Sequence, residues 1–155
     1  MNIEKQIEFD VIKEQWKILA VTDQAKEMIT EVTCYLAESD LRKQLRDTTN
    51  SKILLEKLGT PPLQNVAEAK EILIIAGKGD CLTPYQLERV EKVLVAVMRL
   101  KDYLGRGKQY ENSLAYYEEN LDAAETLREE ISRQIRNGVV EDYASKELRQ
   151  IRTDI

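Results

Sequence analysis

Apolar residues along this chain recur at spacings of three and four, and strict alternation is almost absent. That pattern predicts helices and very little sheet. Asp10 is placed to cap a first helix running to about residue 20, with Val11, Ile12, Trp16 and Leu19 toward a core and Phe9 as a staple before the cap. Thr22 caps a second helix carrying Ala25, Met28, Ile29 and Val32 on one side. Ser39 caps a third with Leu41, Leu45, Leu54, Leu55 and Leu58, which Gly59 ends and Pro61-Pro62 keep from resuming. Its polar middle holds Thr48, Thr49 and Asn50, poor helix formers that favour a kink or break there.

Residues 66–76 read as a short helix ending in Gly77. Taken alone, Ile72-Leu73-Ile74-Ile75 fits a buried strand equally well, but the unbroken lead Ala67-Glu68-Ala69-Lys70-Glu71 favours helix. The strongest element starts at Thr83 as cap with Pro84 in the first position and extends to about Leu104. Leu87, Val90, Leu94, Val97 and Leu104 form one stripe, with Val93, Ala96 and Leu100 beside it, as on a central helix packed on more than one side. Gly105-Arg106-Gly107 reads as its stop. A shorter helix over residues 110–118 comes next, then one over residues 121–136 with Ala124, Leu127, Ile131 and Ile135 inward. Asn137-Gly138 is a turn signal, and Ser145 caps a last helix with Leu148, Ile151 and Ile155 at helical spacing. The expected fold class is therefore all-α, an irregular helical bundle of about six to eight helices.

Composition narrows the chemistry. At 155 residues, 43% hydrophobic and 33% charged, the chain suits one domain with a real core. A net charge of −5 gives no general attraction to nucleic acid. Histidine is absent, which removes the commonest general base and metal ligand. Cys34 and Cys81 are far apart and read as buried free thiols, Cys81 as structural, in a reducing, cytoplasmic setting. The charged start, Met1-Asn2-Ile3-Glu4-Lys5, is no signal peptide, and no run of about 18 apolar residues spans a membrane.

The candidate chemistry is thin. Gly77-Lys78-Gly79 and Gly105-Arg106-Gly107-Lys108 lack the spacing of a phosphate loop and read as helix C-caps. Tyr117-Glu118-Glu119 and Arg128-Glu129-Glu130 read as solvated helix faces rather than metal sites. Lys92, Arg99, Lys101, Arg106 and Lys108 form a basic stretch without interleaved stacking aromatics; helical packing accounts for Tyr103, Tyr110, Tyr116 and Tyr117. No catalytic, cofactor-binding or metal-ligating residue is assigned. Arg149 and Arg152, three residues apart on one helix face, are the candidate contacts to a nucleic acid or partner, although Glu141, Asp142 and Glu147 favour pairing within the chain.

Several motifs, taken in order, carry a resemblance. The opening Phe9-Asp10-Val11-Ile12-Lys13 with Leu19-Ala20, the middle Leu58-Gly59-Thr60-Pro61-Pro62-Leu63, Gly79-Asp80-Cys81-Leu82-Thr83 before a helix, and the turn and serine-capped helix of residues 137–155 resemble the core domain of MutS-family proteins. The bacterial MutS-two subgroup is the closer match, since the opening and the middle motifs resemble that subgroup's, and the absence of the mismatch-reading Phe-x-Glu motif fits it. The resemblance implies residues 1–144 as a helical core domain and residues 145–155 as the start of a truncated lever helix. It implies a parent that is an ATP-dependent, dimeric factor in DNA repair, recombination control or ribosome rescue. ATP and Mg would be bound in that parent, and its ATPase and any nuclease residues would lie outside these 155 residues. The partners implied are the parent's lever, clamp and ATPase domains, and DNA or ribosome through the parent. The chain itself is then no enzyme, and uncovered Leu148, Ile151 and Ile155 imply weak self-association. The alternative is a free-standing helical adaptor that takes a partner helix in a groove. A small helical enzyme using carboxylates is a third reading, which the lack of histidine disfavours.

Overall fold

The computed structural model describes residues 7–33, 37–63 and 69–154, so expectations resting on Cys34, residues 66–68 and Ile155 lie outside the described residues. The chain is an all-α helical bundle with one two-stranded hairpin. Helix α1 (Phe9–Leu19) leaves from Glu8, which is left-handed at φ 54° and gives no side-chain cap. Asp10 does not cap it; it sits inside the first turn, where its charge complements the helix dipole. Helix α2 (Asp23–Glu31) starts as expected, with Thr22 accepting a hydrogen bond from the Ala25 amide at 3.2 Å. Lys13 ties the two together. Its stem is buried, its ammonium donates to the Thr30 carbonyl at 3.3 Å, and it lies 5.0 Å from the centre of the Phe9 ring.

Helix α3 (Glu38–Leu58) begins one residue before Ser39, from Ala37, without a side-chain cap. It does not break in its polar middle. The hydroxyls of Thr48, Thr49 and Ser51 satisfy themselves on the carbonyls of Gln44, Leu45 and Asp47 at 2.9, 3.0 and 2.9 Å, and contacts from Asn112 and Ser113 to Asn50 hold this stretch from outside. Gly59, at φ 80°, ends it. Helix α4 (Ala69–Gly77) settles the ambiguous apolar run as helix, with Ile72 buried and Leu73 and Ile74 outward.

Helix α5 (Pro84–Gly107) is the centre of the bundle, packing on α3, on α4 and on the C-terminal third of the chain. Its start is a full capping box: the Gln86 backbone amide donates to the Thr83 hydroxyl and the Thr83 backbone amide to the Gln86 side-chain Oε1. Its end departs from expectation, because the helix runs through Gly105-Arg106-Gly107. Gly107 is there for close approach: the methyl groups of Leu54 and Ala115 sit against its Cα. The expected helix over residues 110–118 is two tight 3-10 segments, Lys108–Tyr110 and Ser113–Asn120, the second lying along α5.

Helix α6 (Glu125–Gln134) is shorter than residues 121–136, starting after a left-handed Ala124 at φ 40° whose amide donates to Asp122. Strands β1 (Ile135–Arg136) and β2 (Val139–Val140) pair antiparallel, Ile135 opposite Val140 and Arg136 opposite Val139. Asn137 and Gly138 turn between them with φ 54° and 72°, the two left-handed residues that a tight hairpin needs. A 3-10 turn, Asp142–Ala144, leads to α7 (Lys146–Thr153), with the Ser145 hydroxyl accepting from the Leu148 amide at 3.0 Å.

The core is small. Leu54, Ile72, Ala96, Tyr103, Ala115, Ile131 and Ile135 are its buried apolar members among the described residues. The expected inward face of α1 is largely outward: Val11, Ile12, Trp16 and Leu19 are exposed, and so are Leu41, Leu45 and Leu55 of α3. Full burial stabilises each such side chain by roughly 1.5–3 kcal/mol, so this surface forgoes a substantial stabilisation.

Candidate functional site

The α1–α2 hairpin, α3 and α5 enclose an open apolar cleft of about 620 Å³. Trp16, Leu19 and Ile29 form its outer wall, Leu54 and Leu55 of α3 its floor, and Leu100 and Leu104 of α5 its inner wall. None of its lining residues carries a charge. Tyr103 closes one end, its buried hydroxyl donating to the Gly59 carbonyl at 2.9 Å, and that burial pushes its phenol above the usual range. Such a surface can take an apolar helix face; the side-chain hydroxyls along it are those of Thr22, Ser51, Thr60, Tyr103 and Tyr117.

A second, polar cleft of about 790 Å³ lies on the neighbouring face of α5, between Arg99, Asp102 and Arg106 and the Glu118 carboxylate. Lys108 reaches Glu118 at 2.6 Å and Glu119 at 3.0 Å. The hydrogen bond from Lys108 holds the Glu118 carboxyl below its ordinary range, and those two carboxylates hold the Lys108 ammonium above its own. Lys108 is thus engaged with the Ser113–Asn120 segment. Tyr103 alone among the flanking tyrosines is buried; Tyr110, Tyr116 and Tyr117 are exposed, so packing does not account for them as the sequence led one to expect.

The two arginines singled out in the sequence share α7 but not a task. Arg152 turns back on the chain, donating to the Val140 carbonyl at 2.9 Å and to the Asp142 carboxylate. Arg149 is exposed, and among the described residues its guanidinium has no partner. Glu147, in the first turn of α7, has its carboxyl held below the ordinary range by its own backbone amide and then by the Ser145 hydroxyl.

Two groups that no local pattern announces fix the geometry. The Glu88 carboxylate of α5 accepts from both turn amides of the hairpin, Asn137 at 2.7 Å and Gly138 at 2.9 Å. Asn112, 2% exposed, donates to the Asn50 carbonyl at 2.8 Å and accepts from the Leu114 amide at 3.0 Å. The tertiary partners in these contacts lie 49 to 62 residues apart, so sequence spacing carries no sign of them. Cys81, expected buried, is exposed. Glu129 and Glu130 are solvated on α6, as expected, and no group of three His, Cys, Asp or Glu residues among those described could hold a metal. No helix among the described residues is long and apolar enough to cross a membrane.

No protein-family model matches the chain, and no solved structure matches it. Full proteins do. A Clostridium perfringens (strain 13) protein named Endonuclease MutS2 is 30% identical over 152 residues, 96% of this chain. The chain is related to the MutS2 proteins. Endonuclease MutS2 of Clostridium botulinum (strain Alaska E43) is 31% identical over 155 residues, again 96% of the chain. That of Clostridium tetani is 34% identical over 102 residues, 66% of the chain. The chain spans 19% of the length of the first two MutS2 relatives and 13% of the third. The similarity covers the helical body and the hairpin alike, so the resemblance read from scattered motifs extends along nearly all of the chain.

Proposed function

We propose that this chain is the non-catalytic helical core segment of a MutS2-like ATP-dependent factor, which links lever and clamp helices to an ATPase. Residues 1–144 are the core and residues 145–155 begin the lever. The observation that carries the reading is the match of 96% of an all-helical chain to proteins named Endonuclease MutS2. The packing of the central helix supports it. Helix α5 contacts most of the other elements, as a hub must. ATP, Mg and the nuclease chemistry belong to the remainder of such a factor, as do contacts to DNA in repair and recombination control or to stalled ribosomes. Arg149 is the residue of this segment best placed to contribute to a nucleic-acid or protein contact, and Arg152 contributes by orienting the helix that carries it.

The test is binding in trans. This chain is mixed with the Clostridium perfringens relative from which the matching segment has been removed. A stoichiometric complex, with no ATP hydrolysis by this chain alone, is the expected result. Turnover by the pure chain, or no association, contradicts the reading.

A second reading rests on the charge-free cleft between α1–α2 and α5, which suits the apolar face of a partner helix in a free-standing adaptor. It predicts a stable monomer that takes up an amphipathic helical peptide in a manner abolished by Leu104→Glu.

A further inference from the structure

The backbone amides of Asn137 and Gly138 are the two successive donors that a tight hairpin leaves pointing outward. Both residues are left-handed, so the amides converge into a small concavity of positive partial charge. In most hairpins water fills it. Here the Glu88 carboxylate fills it from 49 residues away, one oxygen to each amide. Gly138 also packs on Tyr85, one helical turn before Glu88. The hairpin is thereby pinned to α5 at its tip as well as through the strands, which also touch α5.

The segment C-terminal to the hairpin is fixed to it in turn. The Glu141 amide donates to the Gln134 carbonyl at 2.8 Å, closing the base of the hairpin. The Arg152 guanidinium, one residue before the end of α7, returns to the Val140 carbonyl of β2 and to Asp142. A continuous chain of directed contacts therefore runs α5–Glu88–turn–β2–Arg152–α7. Charge-assisted bonds of this kind are short, directional and stronger than neutral ones.

We propose that Glu88 and Arg152 form a two-point latch that sets the direction in which α7 leaves the body. Opening it at Glu88 frees α7 to swing without unfolding the bundle. The proposal rests on the hub reading only for its purpose: in a lever-bearing factor, this latch is where motion of the lever would be coupled to the central helix. The geometry itself belongs to this chain and is tested on it.

Spin labels are placed on the full chain at Arg99→Cys of α5 and Arg149→Cys of α7, with Cys34→Ser and Cys81→Ser. Both labelled positions are exposed. Distances are measured by pulsed electron resonance with Glu88 intact, with Glu88→Gln and with Glu88→Ala. One narrow distance is expected with Glu88, a broadened one with Glu88→Gln, which keeps a single acceptor oxygen, and a multi-component one with Glu88→Ala. Helical circular dichroism stays unchanged. Amide exchange at Asn137 and Gly138 should accelerate by about tenfold or more in Glu88→Ala, since a hydrogen bond to a charged group is lost from each. An unchanged distance distribution in Glu88→Ala overturns the proposal. If Glu88→Ala fails to fold, Glu88→Gln decides alone: broadening supports the latch and an unchanged distribution overturns it. Failure here leaves the trans-binding test of the hub reading untouched, so the two can fail separately.

Discussion

Gly107 lies against Leu54 so closely that a Cβ at Gly107 would meet the Leu54 Cδ2 methyl at 2.6 Å and the Ala115 Cβ at 3.1 Å. This contact seats α3 and the Ser113–Asn120 segment on the end of α5. Gly107→Ala is therefore predicted to overpack the junction and lower stability by about 1–3 kcal/mol. Gly105→Ala, whose added methyl finds nothing nearer than Glu118 Cγ at 4.0 Å, is the matched control. It should hold or raise stability by up to about 1 kcal/mol, because alanine suits a helix interior better than glycine. Urea midpoints of the two variants check both signs.

Asn112 bridges α3 to the 3-10 segment beside it from a buried position, using its amide donor on Asn50 and its carbonyl on Leu114. Asn112→Ala should cost about 1–3 kcal/mol by leaving the Leu114 amide without its side-chain acceptor. Asn112→Asp should cost at least as much, since it places a carboxylate oxygen against the Asn50 carbonyl. Equal stability of all three proteins in urea would refute this role.

Local chemistry was legible in the sequence where it is settled within four residues. Thr22, Thr83 and Ser145 cap their helices, Asn137-Gly138 turns, and residues 69–77 prefer helix, all as their neighbours dictate. The starts from Glu8, Ala37 and Ala124 depart from expectation because no side chain there accepts from the first turn, so the cap residue that marks a start in sequence is missing. Gly105-Arg106-Gly107 looked like a stop because glycine serves both as terminator and as a place where another element comes close; only the position of Leu54 decides between them. Thr48 and Thr49 read as a break because propensity does not see the tertiary contacts, from Asn112 and Ser113 to Asn50, that hold the middle of α3. Spacing alone places Arg149 and Arg152 on one helix, as the structure has them. The return of Arg152 to Val140 and the reach of Glu88 to the turn depend on the tertiary path.

The surface ion pairs predict a one-sided pH dependence. The carboxyls of Glu118, Glu130 and Glu147 are each held below the ordinary glutamate value of 4.5, by Lys108, by Arg133 and by the first-turn amide of α7 respectively. A carboxyl depressed in the folded state stabilises above its unfolded value and loses that contribution as the pH falls through its folded value. Lys108, raised above 10.5, contributes fully below that pH and loses its share only as the pH climbs through its folded value. Stability should therefore be flat through neutrality and fall on acidification below about 4.5, with Lys108→Gln reducing the acid slope. Glu130 and Glu147 are exposed and Glu118 and Lys108 only half-buried, so the effect should shrink in high salt. Urea midpoints from pH 3 to 7 at two ionic strengths measure it.

Ile18 and Leu19 of α1 are 82% and 78% exposed, beside exposed Val11 and Ile12. An apolar surface of that kind favours weak self-association of the chain. Sedimentation velocity should show a mass average that rises with concentration, and Ile18→Glu with Leu19→Glu should abolish the rise. A single species independent of dilution would contradict it.

The central claim is that this chain does the work of the matching segment in a MutS2 protein. The most direct measurement exchanges that segment: the aligned 152 residues of the Clostridium perfringens relative are replaced by this chain, and the endonuclease activity that its name states is assayed beside a deletion of the same segment. The account predicts activity in the exchange and none in the deletion. A folded chimera as inactive as the deletion, or a deletion as active as the intact relative, would contradict it.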